Sequence, residues 1–478
     1  MQNRLLNKTK EIIIICLSVS LWGCTVPRKA IKDENKTMPA SYLQAQDTAT
    51  SATVNWRTYF GDETLIALID TALMNNQELN IVLQEMEVRK NEIRARKGEY
   101  LPSANIGVTA GVEKSGKYTR YGAIEEQLEV KKDTRFPEPL SDYFLGMSAS
   151  WEIDIWKKLR QAQMAAVMRY LASTEGKNFA VTNLVADIAE AYYELLALDN
   201  ELEIIQQNVG IQTNVLRTVR QQKEAARVTQ LAVNRFEAQL LKTQNYQYAI
   251  RQRIVETENR INYLTARFPQ PIPRASKSFN DVKIDSIQAG IPSQLLTNRP
   301  DIRQAEYELA AKKLDVKVAR ANFYPSLRIS ASAGFQAFNV AYLLNPHSIL
   351  YNLAGDLMVP LINKNALHAT YNTATAQQLQ AVYKYQQTIL NAYVEVLNQL
   401  TKIETSSKSY ETKQKEVETL TQSVNIANNL FNSARADYSE VLLTQREALE
   451  TKMELVEIKA KQLNAKVNIY KALGGGWR

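Results

Sequence analysis

Cysteine and histidine are nearly missing from this chain: two of each occur in 478 residues. Cys16 and Cys24 lie near the N-terminus, while His347 and His368 are isolated from both. Such an inventory leaves no disulfide framework, no cysteine or histidine metal cluster and no Ser/His/Asp order. No glycine loop of the phosphate-cradling kind stands out, and the glycines at 474–476 follow a helical pattern, where they read as a C-terminal stop. Catalysis, metals and cofactors therefore have little support. The net charge of +8 falls to about +6 without residues 1–23, where Arg4, Lys8 and Lys10 outnumber Glu11. Spread over a chain this long, that charge does not argue for nucleic acid.

Proline and glycine are absent from residues 361–473. Between residues 140 and 268 there is no proline, and only Gly146, Gly176 and Gly210 interrupt. An interior proline costs a helix about 3 kcal/mol and a glycine about 1, so both exclusions imply very long helices. Each stretch carries an apolar ladder at seven-residue spacing. The first is Val181, Ile188, Leu195, Leu202, Val209 and Leu216; the second is Ile389, Val396, Ile403, Tyr410, Val417, Val424 and Phe431. A heptad is slightly shorter than two helical turns, so these helices supercoil left-handedly against neighbours.

The chain is an internal tandem repeat. Ala191-Tyr192-Tyr193-Glu194-Leu195-Leu196 returns as Ala392-Tyr393-Val394-Glu395-Val396-Leu397, and Tyr100-Leu101-Pro102-Ser103 as Phe323-Tyr324-Pro325-Ser326. Glu237-Ala238 returns as Glu447-Ala448, in the same order along both halves. Ahead of each helical arm, apolar and polar residues alternate over 104–112 and 143–155, then over 327–337 and more loosely 349–361. Period two over such lengths means strands with one apolar face, long enough to cross a bilayer at a tilt. An ordinary sheet on a soluble core is the plainer alternative. Glu152, Asp154 and Asp356 on the polar face, with aromatics crowding the strand ends (Tyr100, Tyr143, Trp156, Phe323, Tyr324, Tyr342, Tyr351), favour the membrane. Four strands do not close a barrel, and open edges in lipid leave backbone groups unsatisfied, so several copies must pool their strands.

The N-terminus addresses the compartment. Arg4, Lys8 and Lys10 precede the apolar run 12–21, which is too short to span a bilayer and reads as a signal peptide over 1–23. Leu21-Trp22-Gly23-Cys24 is similar to a bacterial lipobox, although Trp22 is bulky for its place; Cys24 then becomes an acylated, palmitate-bearing N-terminus. Residues 24–55 read as a lipidated tether.

The residues Asn55-Trp56-Arg57 through Leu65, Asn298-Arg299-Pro300-Asp301-Ile302-Arg303-Gln304-Ala305-Glu306 and Tyr470-Lys471-Ala472-Leu473-Gly474-Gly475-Gly476-Trp477 resemble the TolC-like outer-membrane efflux factors of the resistance-nodulation-division type, in their lipoprotein branch. The resemblance covers about residues 55–478 and implies a mixed α and β membrane protein. Three copies would share a 12-stranded outer-membrane β-barrel, with four strands from each chain. Below it would stand a long periplasmic α-helical barrel with an equatorial domain. In that frame 56–268 is the first repeat, 269–299 a proline-rich equatorial joint and 300–478 the second repeat. The helical arms fall at 157–227 with 229–267, and at 364–433 with 437–473; an arm of about 70 residues reaches roughly 100 Å. The outer loops are 113–142 and 338–348.

The implied function is a passive exit duct of a tripartite efflux system, serving an inner-membrane pump through a periplasmic adaptor. The competing readings are a periplasmic coiled-coil adaptor or scaffold lipoprotein without a channel, which leaves the strands idle, and a lipoprotein enzyme. The resemblance also assigns sites. The hairpin turns at Arg227, Val228, Thr229 and Gln230, and at Ala436, Asp437, Tyr438 and Ser439, would be docking tips for the adaptor. The resting aperture would lie low on the second ladder. The family's aspartate ring has no counterpart between 411 and 433, which makes Asn425 and Asn429 the candidates for closing it by hydrogen bonds; Val424 and Phe431 are assigned to helix packing.

Overall fold

The computed structural model describes residues 32–42, 49–131, 133–274, 279, 282, 288–360, 362, 364–433 and 435–478. Cys24 and the signal segment lie outside the described residues. The helices are α1 Trp56–Phe60, α2 Glu63–Asn75, α3 Gln77–Tyr100, α4 Arg120–Gln127, α5 Lys158–Glu224, α6 Gln230–Leu264, α7 Leu295–Asn298, α8 Pro300–Ala321, α9 Asn365–Asn432 and α10 Tyr438–Ala472. The strands are β1 Ser103–Glu113, β2 Glu129–Lys131, β3 Thr134–Arg135, β4 Leu140–Ile153, β5 Ser326–Ala337 and β6 Ile349–Met358. The proline-free stretches have thus become α5 and α9, of 67 and 68 residues, each followed by a 35-residue partner.

Two compact units divide the chain. Among the described residues, one comprises 32–33, Glu87–Leu171 and Tyr307–Tyr383; the other comprises Glu34–Met86, Ala172–Glu306 and Lys384–Arg478. In the first, an antiparallel sheet runs in the order β1-β4-β5-β6. Its register keeps one set of side chains on each face: Ile106 opposes Met147, then Ala333, then Tyr351, while Asn105 opposes Ser148, then Ser332, then Asn352. A period-two pattern survives only if no strand slips by one residue, so the alternation read from sequence also fixes this register.

The second unit is helical. Trp56, Leu65, Ile69, Ile188, Tyr192, Leu195 and Val467 belong to one buried cluster. Ladder residues Ile188, Leu195, Leu216, Ile389, Val396 and Phe431 are buried and the others half-buried. The repeat is legible in the packing: Ala191 and Ala392 are both fully buried, as are Leu195 and Val396. Gly176 sits within α5 because the Gln304 side-chain amide of α8 lies where its Cβ would be, 3.2 Å from the nitrogen. On the same turn, Arg303 pairs with the buried carboxylate of Glu175 at 2.7 Å.

Three expectations change. Residues 113–142 are not a plain loop: α4 and the β2–β3 ribbon occupy them, and β4 begins at Leu140. Asp154 does not join the polar face of a strand, because β4 ends at Ile153. Its carboxylate is 8% exposed and accepts from the Leu159 and Arg160 amides at 3.0 and 2.9 Å. The opening amides of a long helix need such acceptors, and that demand overrides the strand pattern. The segment before Asn55 is also more than a tether. Tyr42 is 1% exposed and stacks on Tyr393 at 5.5 Å, and Ala52 is buried in a short 3-10 turn.

Candidate functional site

Among the described residues, neither face of the four-stranded sheet has a core beneath it. Ile106, Val108 and Leu353 on the apolar face are about three-quarters exposed, at 76%, 75% and 76%. A soluble protein would cover that surface, since burying apolar area contributes about 25 cal/mol per Å². The polar face carries Asn105, Thr109, Ser148, Ser150, Ser330, Ser332 and Asn352. At one end of it, register aligns Glu152, Arg328 and Asp356, and Lys158 pairs with Glu152. Among the described residues no strand pairs with the free edge of β1 or of β6. Aromatic side chains anchor the same end: Trp151 donates to the Tyr100 carbonyl at 3.2 Å, and Trp156 stacks on Tyr324 at 4.7 Å while donating to the Pro325 carbonyl at 2.8 Å. No helix among the described residues is long and apolar enough to cross a membrane. An amphipathic sheet with open edges is a piece of a closed wall.

The two hairpin turns are built alike. At the end of α5 the Arg227 amide donates to the Gln222 carbonyl at 2.9 Å and the Ala226 amide to Lys223 at 3.0 Å, with Ala226 at φ 52. At the end of α9 the Arg435 amide donates to Leu430 at 2.8 Å. The six-to-one bond of a Schellman closure is present in both. Thr229 then caps α6 by accepting from Ala232, and Asp437 caps α10 by accepting from Ser439. Arg227 and Arg435 are exposed at equivalent places, with Thr229, Gln230, Asp437 and Ser439 beside them. Val228 and Tyr438 instead pack against a cluster containing Leu216, Val219, Phe236, Phe431 and Val441. The repeat therefore presents two matching tips, each with an arginine just past its helix.

Low on α9, Asn425 and Asn429 are exposed and one turn apart. Across the helix from Asn429, Phe431 is buried, and Asn428, flanking Asn425, accepts from Gln445 at 3.3 Å.

The three sequence segments that carry the resemblance meet in one place. Arg299 grips Asp301 with two bonds of 3.0 and 2.8 Å, Glu395 of α9 at 2.7 Å, and the Ala472 carbonyl at the end of α10 at 2.8 Å. Burial alone would lower its pKa, but the bonds and field of Asp301 and Glu395 outweigh that and raise it, so the guanidinium stays charged. Gly474, at φ 92, lets the chain pass so close that a Cβ there would sit 2.6 Å from the Asn298 carbonyl oxygen. Trp477 donates to that carbonyl and to Gly474, and Arg478 donates to the Asn298 side chain. Asn55 caps α1 and holds the Arg478 carbonyl at 3.1 Å. Tyr59 stacks on Tyr470 at 4.1 Å, and burial pushes the Tyr470 hydroxyl up to about 12, leaving it a donor to Val54 at 2.5 Å. The glycine run is thus a close-packing device as well as a stop. Nothing in the separate strings reveals this lock, because its partners lie hundreds of positions apart.

Compared with known proteins, residues 68–267 and 291–475 match the pattern described as "Outer membrane efflux protein". The toluene efflux pump outer membrane protein TtgI of Pseudomonas putida is 28% identical over 420 residues, 88% of this chain and 87% of that one. The cation efflux system protein CusC of Escherichia coli is 25% identical over 395 residues, 81% of each chain. Among solved structures, the open state of the Neisseria gonorrhoeae MtrE outer membrane channel superposes with a TM-score of 0.81 at 20% identity, covering 95% of this chain and 99% of that one.

Proposed function

The chain belongs to the outer membrane efflux protein family, and from that premise we propose that it is the outer-membrane duct of a tripartite efflux system. It lies in the outer membrane and extends into the periplasm. The observation that carries the reading is the amphipathic sheet with two free edges. Three copies pooling four strands each would close twelve into one wall, apolar side to lipid and polar side to a water-filled bore. The duct performs no chemistry on its cargo. It supplies an aqueous path, while an inner-membrane pump selects what enters and a periplasmic adaptor joins the two. Cys24 would carry the acyl anchor. An adaptor without a channel accounts for the heptads but gives the exposed apolar face no purpose.

The twin tips are the adaptor's docking points in this reading. Arg227 and Arg435 offer matching charges at equivalent positions, so one kind of adaptor hairpin fits both. Ala436→Arg or Ser439→Arg is expected to abolish efflux while leaving the yield of assembled channel unchanged. Drug susceptibility of a strain carrying each variant tests this, and ordinary efflux from both would refute the docking assignment.

A duct open at rest would leak, so its inner end must close. Asn425 and Asn429, both exposed on α9, would meet their copies around the axis. Each hydrogen bond between these amides is worth about 1 kcal/mol, weak enough for adaptor binding to overcome by untwisting the hairpins. Asn425→Ala or Asn429→Ala is expected to raise single-channel conductance in planar bilayers. If both conduct like the parent, the seal lies elsewhere.

A further inference from the structure

The polar face of the sheet, which also carries Leu350 and Ala354 on β6, holds one aromatic residue. Phe144 stands among serine, threonine, asparagine and glycine, opposite Thr109 on β1 and Gln336 on β5, and is the one aromatic on that face of β1, β4, β5 and β6. Its neighbours explain how it is accommodated. Register sets Gly107, Gly146 and Gly334 side by side across three strands. A Cβ at Gly146 would lie 2.9 Å from Phe144 Cε2 and 2.8 Å from the Ala333 carbonyl oxygen. One at Gly334 would first meet the β4 backbone, 2.5 Å from the Leu145 carbonyl oxygen and 2.6 Å from Gly146 Cα, and would lie 3.1 Å from the same ring atom. The ring therefore lies flat across both glycines and is half-buried. At Gly107, in the same row, a Cβ would meet nothing within 4 Å. The bed is specific to the two glycines under the ring.

We propose that Gly146 and Gly334 form a bed that stows the Phe144 ring against the wall of the bore, and that Phe144 becomes a constriction for bulky solutes whenever this bed is filled. The glycines weaken the strands locally, and the aromatic ring covering them compensates. Any side chain at Gly146 takes the space of the ring. The ring is then displaced from the wall toward the bore, in every copy at the same level. Phe144 is thus a positioning element for the width of the duct. It rests on the reading of the polar face as a lumen.

The test uses Ser148→Cys, an exposed position one step beyond Gly146 on the same face, labelled on intact cells with a small maleimide and with maleimides carrying polyethylene glycol of increasing length. The chain without Ser148→Cys serves as the blank, and only assembled channel is scored, so a lower yield does not enter. In the Gly146→Ala background, the largest reagent that still labels should be smaller than in the parent, while the small maleimide labels at the parent rate. Adding Phe144→Ala should restore the parent cut-off, and Gly107→Ala should leave it unchanged. An unchanged cut-off in Gly146→Ala, or no restoration on removing the ring, overturns the bed. Failure of the small maleimide to label Ser148→Cys in the parent would instead contradict the lumen itself.

Discussion

Arg299→Ala is expected to remove most of the assembled protein from the membrane. The guanidinium is 8% exposed and ties three elements together: its own helix start through Asp301, α9 through Glu395, and the last carbonyl of α10 through Ala472. Removing the cation leaves two carboxylates and a carbonyl facing one another, with Asp301 18% exposed and only Glu395, at 35%, well reached by water. Breaking a buried pair in this way costs about 3–5 kcal/mol, a large part of the roughly 5–15 kcal/mol that holds an ordinary domain folded. Arg299→Lys should recover little, since one ammonium does not reproduce the two-pronged grip on Asp301 or reach all three partners. Thermal melting of purified protein, together with the yield of assembled channel, measures the effect. A melting temperature equal to the parent's would show that the lock is ornamental.

The second large effect separates the two faces of the sheet at adjacent positions. Leu353 lies mid-strand on the apolar face, level with Ala104, Ala149 and Ala331. Asn352, one residue earlier, faces the polar side opposite Ser332. Arginine at the lipid-facing side of a barrel costs about 2–4 kcal/mol near the bilayer midplane, and every copy in the assembly bears that cost. Leu353→Arg should therefore collapse membrane assembly, whereas Asn352→Arg, pointing into water, should assemble normally. Heat-resistant oligomer in outer-membrane fractions reports both. Equal behaviour of the two variants would mean that the faces do not differ in environment.

The elements themselves were legible in the residues for simple reasons. Proline and glycine exclusion marks α5 and α9 because each such residue is costly in a helix. Alternation marks β1, β4 and β5 because a sheet wetted on one side demands it. What the residues hide is of two kinds. Helix α4 is short, contains Gly122 and has no apolar stripe, so it resembles a charged loop until Thr119 is seen capping it at 3.3 Å. Asp154 reads as one more polar position in an alternating run, and only its bonds to the start of α5 show that the strand has already ended.

The lock and the glycine bed were hidden for a different reason, which is distance along the chain. Asn55 meets Arg478, Arg299 meets Ala472, and Gly146 meets Gly334. Periodicity describes one element at a time and says nothing of which elements meet. The internal repeat did carry some long-range information. It placed a hairpin turn at the end of each long arm, and the structure closes both with a six-to-one bond, from Arg227 and from Arg435.

The central claim is that one chain supplies a third of a barrel wall and is complete only as a trimer. The mass of the purified complex, corrected for bound detergent, tests it most directly. The account predicts three chains per particle, with no folded species at the mass of one chain at any detergent ratio. A well-folded, membrane-inserted monomer with its β1 and β6 edges unpaired would contradict it.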